Sequence, residues 1–476
     1  MGITLKGRRG EEEKDLVSFL LLPLTPLLLL LAYPPLNQGY LAWIAFLPFF
    51  YGMERTRRPF LYPYLAGIIF YLPHLAWLSL VTRLGYVSLS VYLSLYFLLF
   101  GILVRKRTLL YLAPSLWIIL EWVRGRVFSG FPWSNLALTQ YLYPGLLKVL
   151  PFTGWSGLSF EIMWVNLFLY LFLRYRKAKY LIFSLLPLLS FSLPSRYQEG
   201  GILKLKVVQP SLLPSIKWGK RERLLPLYQE LAGREREKLI IFPESILPFP
   251  LKNTPEGKEW IDWIKKEKLS IVFGSFLEEE GRMFNAVFFW DKGEEKGVYR
   301  KRKLVPFGEY LPLRRFFPFL EKILPPIGDF TPGEKAVSFT YREISFSPLI
   351  CFENLFPSLF RNLKDSRLII VLTDDAWFGR VWGPWQHFAH SVIRAAETGK
   401  TLLQVANTGI TGWIDGKGRI RKIFRIEGKT WVRGTSTWEI TLSSTPPTPY
   451  MKWGDWFIYL NILSLLLFTL GKRKRV

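Results

Sequence analysis

The sequence predicts two architectures in one chain: a multi-pass α-helical membrane domain of about eight spans, and an α/β layered domain. Three observations carry this reading. Residues 1–200 are a series of apolar runs separated by short polar joints. From residue 203 the texture changes to short β-branched and aromatic runs alternating with helical stretches. Half of the chain is hydrophobic and 17% is aromatic, which is too apolar for an ordinary soluble protein. The expected division is 1–200 for the membrane domain, 201–445 for an outer domain, and 446–476 for a last span and its basic tail.

The apolar runs place spans near 16–33, 38–54, 60–81, 87–104, 108–123, 152–173, 178–194 and 454–470. Several reach the ~20 residues that cross a bilayer; the second, fifth, seventh and eighth are short. Basic residues set the orientation. Lys6, Arg8, Arg9 and Lys14 precede the first span, Arg55, Arg57 and Arg58 follow the second, and Arg105, Lys106 and Arg107 follow the fourth. Arg174, Arg176, Lys177 and Lys179 follow the sixth, and the chain ends in "GKRKRV". Of the opposite joints, "YPPLNQG" has no basic residue, "VTRLGYVS" has one, and the joint after the fifth span holds Arg124, Arg126 and Lys148. This alternation predicts both termini in the cytoplasm and the outer domain on the far side. "LLAYPP" is a poor cleavage site, so the first run is read as a retained span and not a signal peptide.

The formal net charge of +26 is then mostly a topology signal. Within the outer domain the basic residues are spread out and interleaved with acids, so no nucleic-acid partner is expected, and proximity to anionic headgroups is. Glu121 and Glu161 fall within or at the ends of spans, where a carboxylate is costly. Two readings stand: a functional intramembrane group, or an interfacial pair with Arg124 or Arg126. The joint "RGRVFSGFPWSNLALTQY" is aromatic and amphipathic, either an entrance for lipid along the outer interface or a plain interfacial anchor.

In the outer domain, strands are expected at 203–209, 238–242, 269–276, 285–290, 344–350, 367–373 and 401–407, and helices at 219–237, 255–267 and 385–399. Several strands are unbroken apolar runs, as for strands covered on both faces. "EEGRMFNAVFFWDKGE" and "TGWIDGKGRI" read as hairpins with glycine turns.

The chemistry sits at strand ends, where the sheet holds a residue that the rim exposes. "KLIIFPESILPFP" runs into Glu244, "GVYRKRKLVPFGEYLP" carries Lys301, Lys303 and Glu309, and "SPLICFENLFP" carries Cys351 and Glu353. Cys351 is the only cysteine, so it forms neither an internal disulfide nor a thiolate metal cluster. It is either an inert buried thiol or a nucleophile. An acid, a lysine and a cysteine together suit acyl transfer: a carboxylate takes the thiol proton, and an ammonium holds a tetrahedral oxyanion. Singly, each has a plainer reading, Glu244 as a helix cap and Lys301 as one more solvated cation. His387 and His390, with Asp374 and Asp375 upstream, have metal-like spacing, but packing or capping is the preferred reading and no metal site is expected. No P-loop, dinucleotide fingerprint or Gly-x-Ser-x-Gly elbow is present, and no cofactor is expected.

At these residues the chain resembles the apolipoprotein N-acyltransferase family, which joins membrane spans to a periplasmic nitrilase-like (carbon–nitrogen hydrolase) domain. The resemblance runs through "VQPSLLPSIKW", "FPES", "YRKRKLVPFGEYLP", "ICFENLFP", "TDDAWFG…GPWQH", "ANTGITGWID" and the membrane-side "SGFPWSNLALTQY". It implies an αββα sandwich for the outer domain and a Glu244–Lys301–Cys351 triad, with Lys301 favoured over Lys303 by its register to Tyr299. It implies supporting roles for Glu309 and Glu353 in orienting Lys301 and the nucleophile, and for Trp218 at the acyl or headgroup entrance. Simple packing is the alternative for each of these three. Phe352 departs from the tyrosine expected in many members, which puts in doubt any hydroxyl role at that position.

The resemblance further implies two half-reactions. Cys351 takes an acyl chain from a membrane phospholipid, phosphatidylethanolamine being the first candidate, and the thioester is then attacked by the N-terminal amine of a diacylglyceryl-cysteine lipoprotein. It implies a bacterial inner-membrane, multi-pass protein with a periplasmic catalytic domain and no cofactor. The competing readings are a membrane-tethered amidase or nitrilase acting on a small amide, and a transporter or scaffold whose outer domain only binds.

Overall fold

The computed structural model describes residues 15–219, 221–235, 237–312 and 329–473, without the side chains of residues 218, 221, 472 and 473. The chain divides into two compact units. One takes Met1–Ser195, Val381–Ala389 and Lys452–Val476, the other Arg196–Arg380 and His390–Met451. The grouping of Val381–Ala389 with the first unit is a feature that a contiguous division of the sequence does not anticipate.

Among the described residues of the first unit, three helices are long and apolar enough to cross a membrane: Asp15–Ala32, Arg83–Arg105 and Trp155–Tyr175. The other expected spans are met by shorter pieces, and proline accounts for several breaks, because it lacks the N–H that continues a helix. Residues 38–54 form a 3₁₀ turn over Gly39–Trp43 and a helix over Leu47–Arg55 with Pro48 in its first turn. Residues 60–81 form Leu61–His74, which contains Pro73, and then Ala76–Leu80. The run 108–123 is helical over Ala113–Arg124, 178–194 over Ala178–Ser184 with a 3₁₀ turn after it, and 454–470 over Trp456–Arg473.

Close packing holds these pieces together. A side chain at Gly67 would meet Ser94 Cα at 2.8 Å, so helix Leu61–His74 lies directly on Arg83–Arg105. Asn166 donates to Ala42 O at 2.9 Å and accepts from Phe46 N at 2.8 Å, satisfying the backbone where the second run breaks. The aromatic joint does not lie along the surface. Trp133 to Gln140 are buried, Glu121 accepts from Leu136 N at 2.7 Å, and Arg124 donates to Tyr71 Oη at 2.7 Å and Asn135 Oδ1 at 3.1 Å. Its exposed part is the start, Arg126 to Phe128. Arg126 pairs with Asp455.

The described residues of the second unit form thirteen strands in two sheets. The strands are β1 Glu199–Gln209, β2 Leu239–Ile241, β3 Leu247–Pro250, β4 Ser270–Glu279, β5 Arg282–Asp291, β6 Glu294–Arg300 and β7 Phe339–Tyr341. They continue with β8 Ile344–Ile350, β9 Leu368–Thr373, β10 Thr401–Ala406, β11 Gly412–Ile414, β12 Ile420–Ile423 and β13 Gly434–Ser443. One sheet runs β13-β1-β2-β4-β5-β6 with β3 beside β4, and the other β12-β11-β10-β9-β8-β7. β1, β2 and β4 are mutually parallel, as are β8, β9 and β10.

Side-chain alternation along the strands builds the layers. Phe273 and Phe288 join a cluster with Tyr228 of helix Leu224–Ala232 and Trp260 of helix Pro255–Glu267, on the outer face of the first sheet. The neighbouring Phe289 turns to the inner face, its ring 5.1 Å from that of Phe346 on β8. On the second sheet, Ser391 of helix Trp382–Thr398 donates to Gln404 of β10 at 2.7 Å. Helix, sheet, sheet and helix therefore stack as an αββα sandwich. All seven expected strands are present, and "TGWIDGKGRI" forms the β11–β12 pair.

Candidate active site

Glu244 follows β2 in a turn seated on β4. Phe242 N donates to Val272 O, Gly274 N to Pro243 O and Ile246 N to Gly274 O, at 2.9, 3.0 and 2.9 Å. The turn needs a glycine beneath it, because a Cβ at 274 would lie 2.6 Å from Ser245 N and 2.7 Å from Glu244 Cα. Ser245 takes a left-handed φ of 49°, and the turn delivers the carboxylate into the sandwich, 6% exposed. Its Oε1 accepts from Asn285 Nδ2 at 2.8 Å and from Lys301 Nζ at 3.3 Å; its Oε2 accepts from Asp374 N at 3.0 Å.

Lys301 is the first residue beyond β6, fixed by its N–H to Asn285 O at 2.8 Å. Its ammonium is 1% exposed and lies 2.8 Å from Glu309 Oε1 as well as 3.3 Å from Glu244. Asn285 Nδ2 donates to Glu309 Oε1 at 2.8 Å, and Glu309 Oε2 accepts from Val305 N at 2.8 Å. One lysine and one amide are thus shared between two carboxylates. Lys303 lies elsewhere, its Nζ 4.7 Å from the centroid of the Phe356 ring.

Cys351 begins a 3₁₀ turn directly after β8 and is 6% exposed. Its φ of 47° is left-handed, a conformation that costs an L-residue of order 1–3 kcal/mol and persists only where its surroundings impose it. Glu353 imposes it. This fully buried carboxylate accepts from Ile350 N at 2.8 Å, from Arg302 N at 2.7 Å, from Lys303 N at 3.1 Å and from Tyr299 Oη at 2.8 Å. The segment bearing Lys301 and the elbow bearing Cys351 are therefore tied to one side chain.

The electrostatics follow from burial. Desolvation raises the Glu244 carboxyl above the ordinary range, opposed by Lys301 and reinforced by Glu309. Burial pushes the Cys351 thiol up, Glu244 adds to this, and Lys301 opposes it. For Lys301, burial alone would lower the ammonium; Glu244, Glu309 and Cys351 outweigh it and hold the group protonated. Desolvation raises Glu353 as well, against the hydrogen bonds from Ile350, Tyr299 and Arg302. A raised carboxyl beside a raised thiol can exchange a proton, and a fixed ammonium can meet a developing oxyanion.

The fold brings together Glu244, Lys301, Cys351, Glu309 and Glu353 from separate stretches of chain. The side chain of Trp218 lies outside the described residues. Phe352 is buried and packs on Phe356 at 5.1 Å between centroids. Asp374 caps the turn after β9 through Ala376 N at 3.3 Å, and it also joins the site through its own N–H to Glu244. Asp375 places a carboxylate oxygen within 4.8 Å of Cys351 Sγ and accepts from Thr373 Oγ1 at 2.7 Å. Sequence reasoning missed Asn285 and Tyr299. Neither carries a local signal, because each acts only on carboxylates that the fold brings from other stretches of the chain.

Residues 26–168 match the family model of the apolipoprotein N-acyltransferase N-terminal domain, and residues 204–449 match that of carbon-nitrogen hydrolase. An apolipoprotein N-acyltransferase from Geobacter metallireducens is 33% identical over 449 residues, covering 85% of this chain and 86% of its own. One from Haemophilus influenzae is 30% identical over 503 residues, covering 95% and 94%. Among solved structures, a CN-hydrolase superfamily protein from Xanthomonas campestris is 18% identical, covers 51% of this chain and 91% of its own, and has a TM-score of 0.38.

Proposed function

This chain belongs to the apolipoprotein N-acyltransferase family and is an acyltransferase, and we propose that it acylates lipoproteins through a thioester on Cys351. The observation that carries the residue assignment is the buried Lys301 ammonium, 2.8 Å from Glu309 and 3.3 Å from Glu244, with its charge felt at Cys351.

In the first half-reaction the Cys351 thiol gives its proton to Glu244 while sulfur attacks the ester carbonyl carbon of a membrane phospholipid. The carbonyl oxygen becomes an oxyanion beside Lys301. The C–O bond then breaks, Glu244 returns the proton to the leaving alkoxide, and a lysophospholipid departs. In the second, the free α-amine of a diacylglyceryl-cysteine lipoprotein attacks the thioester carbon. Glu244 takes the amine proton, the C–S bond breaks, and the proton returns to sulfur. The product is an amide, and the energy of the ester bond is carried through the thioester without a nucleotide.

Glu309 and Glu353 are assigned as positioning residues, and Trp218 is assigned to the substrate entrance. The division 1–200, 201–445 and 446–476, with cytoplasmic termini and a periplasmic catalytic domain in the bacterial inner membrane, is supported by the alternation of basic joints. The long apolar helices suit two substrates that both reside in a membrane.

The test supplies a phospholipid labelled in its acyl chain and then a diacylglyceryl-cysteinyl peptide, following the label by mass. Label should appear on Cys351 and move to the peptide amine, and Cys351→Ala should show neither. Hydrolysis of a soluble amide with no acyl transfer would overturn the reading.

A further inference from the structure

We propose that Lys217 is a positioning residue for Glu244, acting through Asp374; this rests on the reading of Glu244 as the base. Lys217 lies in the short helix Pro214–Gly219, and the reactions proposed above give it no role. It is 3% exposed, and its Nζ sits 2.6 Å from Asp374 Oδ2. The other carboxylate oxygen of Asp374 accepts from Asn407 Nδ2 at 2.9 Å. The main-chain N–H of this same Asp374 is the donor to Glu244 Oε2 at 3.0 Å. One residue therefore hands its charge to Lys217 and its amide to the base.

Asn407 ties the segment leading to Lys217 into the same knot. Its side-chain Oδ1 accepts from Leu212 N at 3.1 Å, its Nδ2 donates to Leu212 O at 2.8 Å, and its carbonyl accepts from Ser211 N at 2.9 Å. Its own N–H donates to Thr373 O at 2.9 Å, just before Asp374. The strand-end loops after β1, β9 and β10 are thus locked at the point where Asp374 meets Glu244. Lys217 is the buried counter-charge that faces the Asp374 carboxylate there.

The consequence is electrostatic and has a sign. The groups that face Glu244 are Lys301 and Glu309 beyond β6, Asn285 of β5, Asp374 beyond β9 and Cys351 beyond β8. Without Lys217, the negative charge of Asp374 acts on Glu244 uncompensated and favours its protonated form. Without the Asp374 charge, Lys217 favours the ionised form.

The experiment measures the rate of acyl-thioester formation on Cys351 against pH, using phosphatidylethanolamine with a fluorescent acyl chain in detergent micelles. Lys217→Met should move the acid limb up by about one pH unit and slow the reaction roughly tenfold at any pH below the limb. Asp374→Asn should move the limb down, Lys217→Met combined with Asp374→Asn should bring it back toward wild type, and Lys217→Arg should restore the rate. A purely structural lysine would lower the yield of folded enzyme without these opposed shifts. If Lys217→Met fails to fold, Asp374→Asn decides alone: an unmoved limb overturns the proposal. Wild-type rate and limb in folded Lys217→Met overturn it too, while wild-type enzyme that forms no thioester overturns the base assignment and this proposal with it.

Discussion

Tyr299 donates its hydroxyl to Glu353 at 2.8 Å, and both side chains are fully buried. The same carboxylate takes the amides of Ile350, Arg302 and Lys303, so it clamps the turn bearing Cys351 to the segment bearing Lys301. Glu353→Gln puts an amide N–H where one of these donors points, leaving a buried donor unmatched at a cost of about 1–3 kcal/mol. The expected outcome is a lower melting temperature and a loss of thioester formation on the order of a hundredfold, because Cys351 and Lys301 lose their common anchor. Tyr299→Phe removes one donor from an acceptor that keeps three, and should cost about 1 kcal/mol with a milder rate effect. Melting curves and single-turnover acylation of the two variants check the ranking.

Two lysines compete on sequence grounds, and their surroundings differ. Lys301 stands between Glu244 and Glu309, whereas Lys303 rests on the Phe356 ring. Lys301→Met should abolish the thioester and leave two buried carboxylates facing one another, so it should also destabilise the fold. Lys303→Met should keep most of the acylation rate. An inactive Lys303→Met beside an active Lys301→Met would reverse the assignment.

With Glu244 as the proposed base, its carboxyl should set the acid side of the pH dependence. Its folded-state value is raised, chiefly by burial, so the base form is lost as pH falls through a value above the ordinary carboxylate range. Thioester formation should fall tenfold per pH unit below that point. Linkage fixes a companion effect on stability. A carboxyl raised in the folded state supports the fold at pH below its unfolded value and loses that support as pH rises through the folded value. Across this window Glu244→Gln should gain in melting temperature relative to wild type, while remaining inactive at every pH. A wild-type acid limb at or below the ordinary carboxylate range would contradict both effects.

What the sequence disclosed follows from which signals are local. Strands β8, β9 and β10 are legible because both faces are buried and the residues run apolar without a break. The end of β8 then pointed to Cys351. β13 escaped because it is an edge strand whose apolar positions alternate with Thr, Ser and Glu439. β6 reads as a charged turn in "GEEKGVYR", and only its pairing with β5 makes it a strand. Asn285 and Tyr299 gave no sign of their roles: each is meaningful only for the carboxylates that β2, the 301–309 segment and the β8 elbow bring to it. Lys217 carries no local sign of its role, because its partner Asp374 is 157 residues away. In the membrane half, hydropathy measured the length of each apolar run but not the breaks near Pro48, Pro73 and Pro187.

Gly274 offers a test of the scaffold that leaves every polar group in place. It lies on β4 under the Glu244 turn, and an added methyl would stand 2.6 Å from Ser245 N and 2.7 Å from Glu244 Cα. Those are backbone atoms, so no side chain can rotate away, and the turn itself must move. Overpacking of this kind costs about 1–3 kcal/mol. The displacement falls directly on the carboxylate, whose contacts to Asn285 at 2.8 Å and Lys301 at 3.3 Å tolerate little movement. Gly274→Ala should therefore retain the fold with a reduced melting temperature and lose at least tenfold in thioester formation. Gly281, at the β4–β5 turn with no heavy atom within 4 Å of an added Cβ, is the matched control. Its left-handed φ of 69° makes alanine there costly to stability as well, but Gly281→Ala should keep the acylation rate of the folded fraction. Equal losses of rate in the two variants would mean that the turn under Glu244 does not position the base.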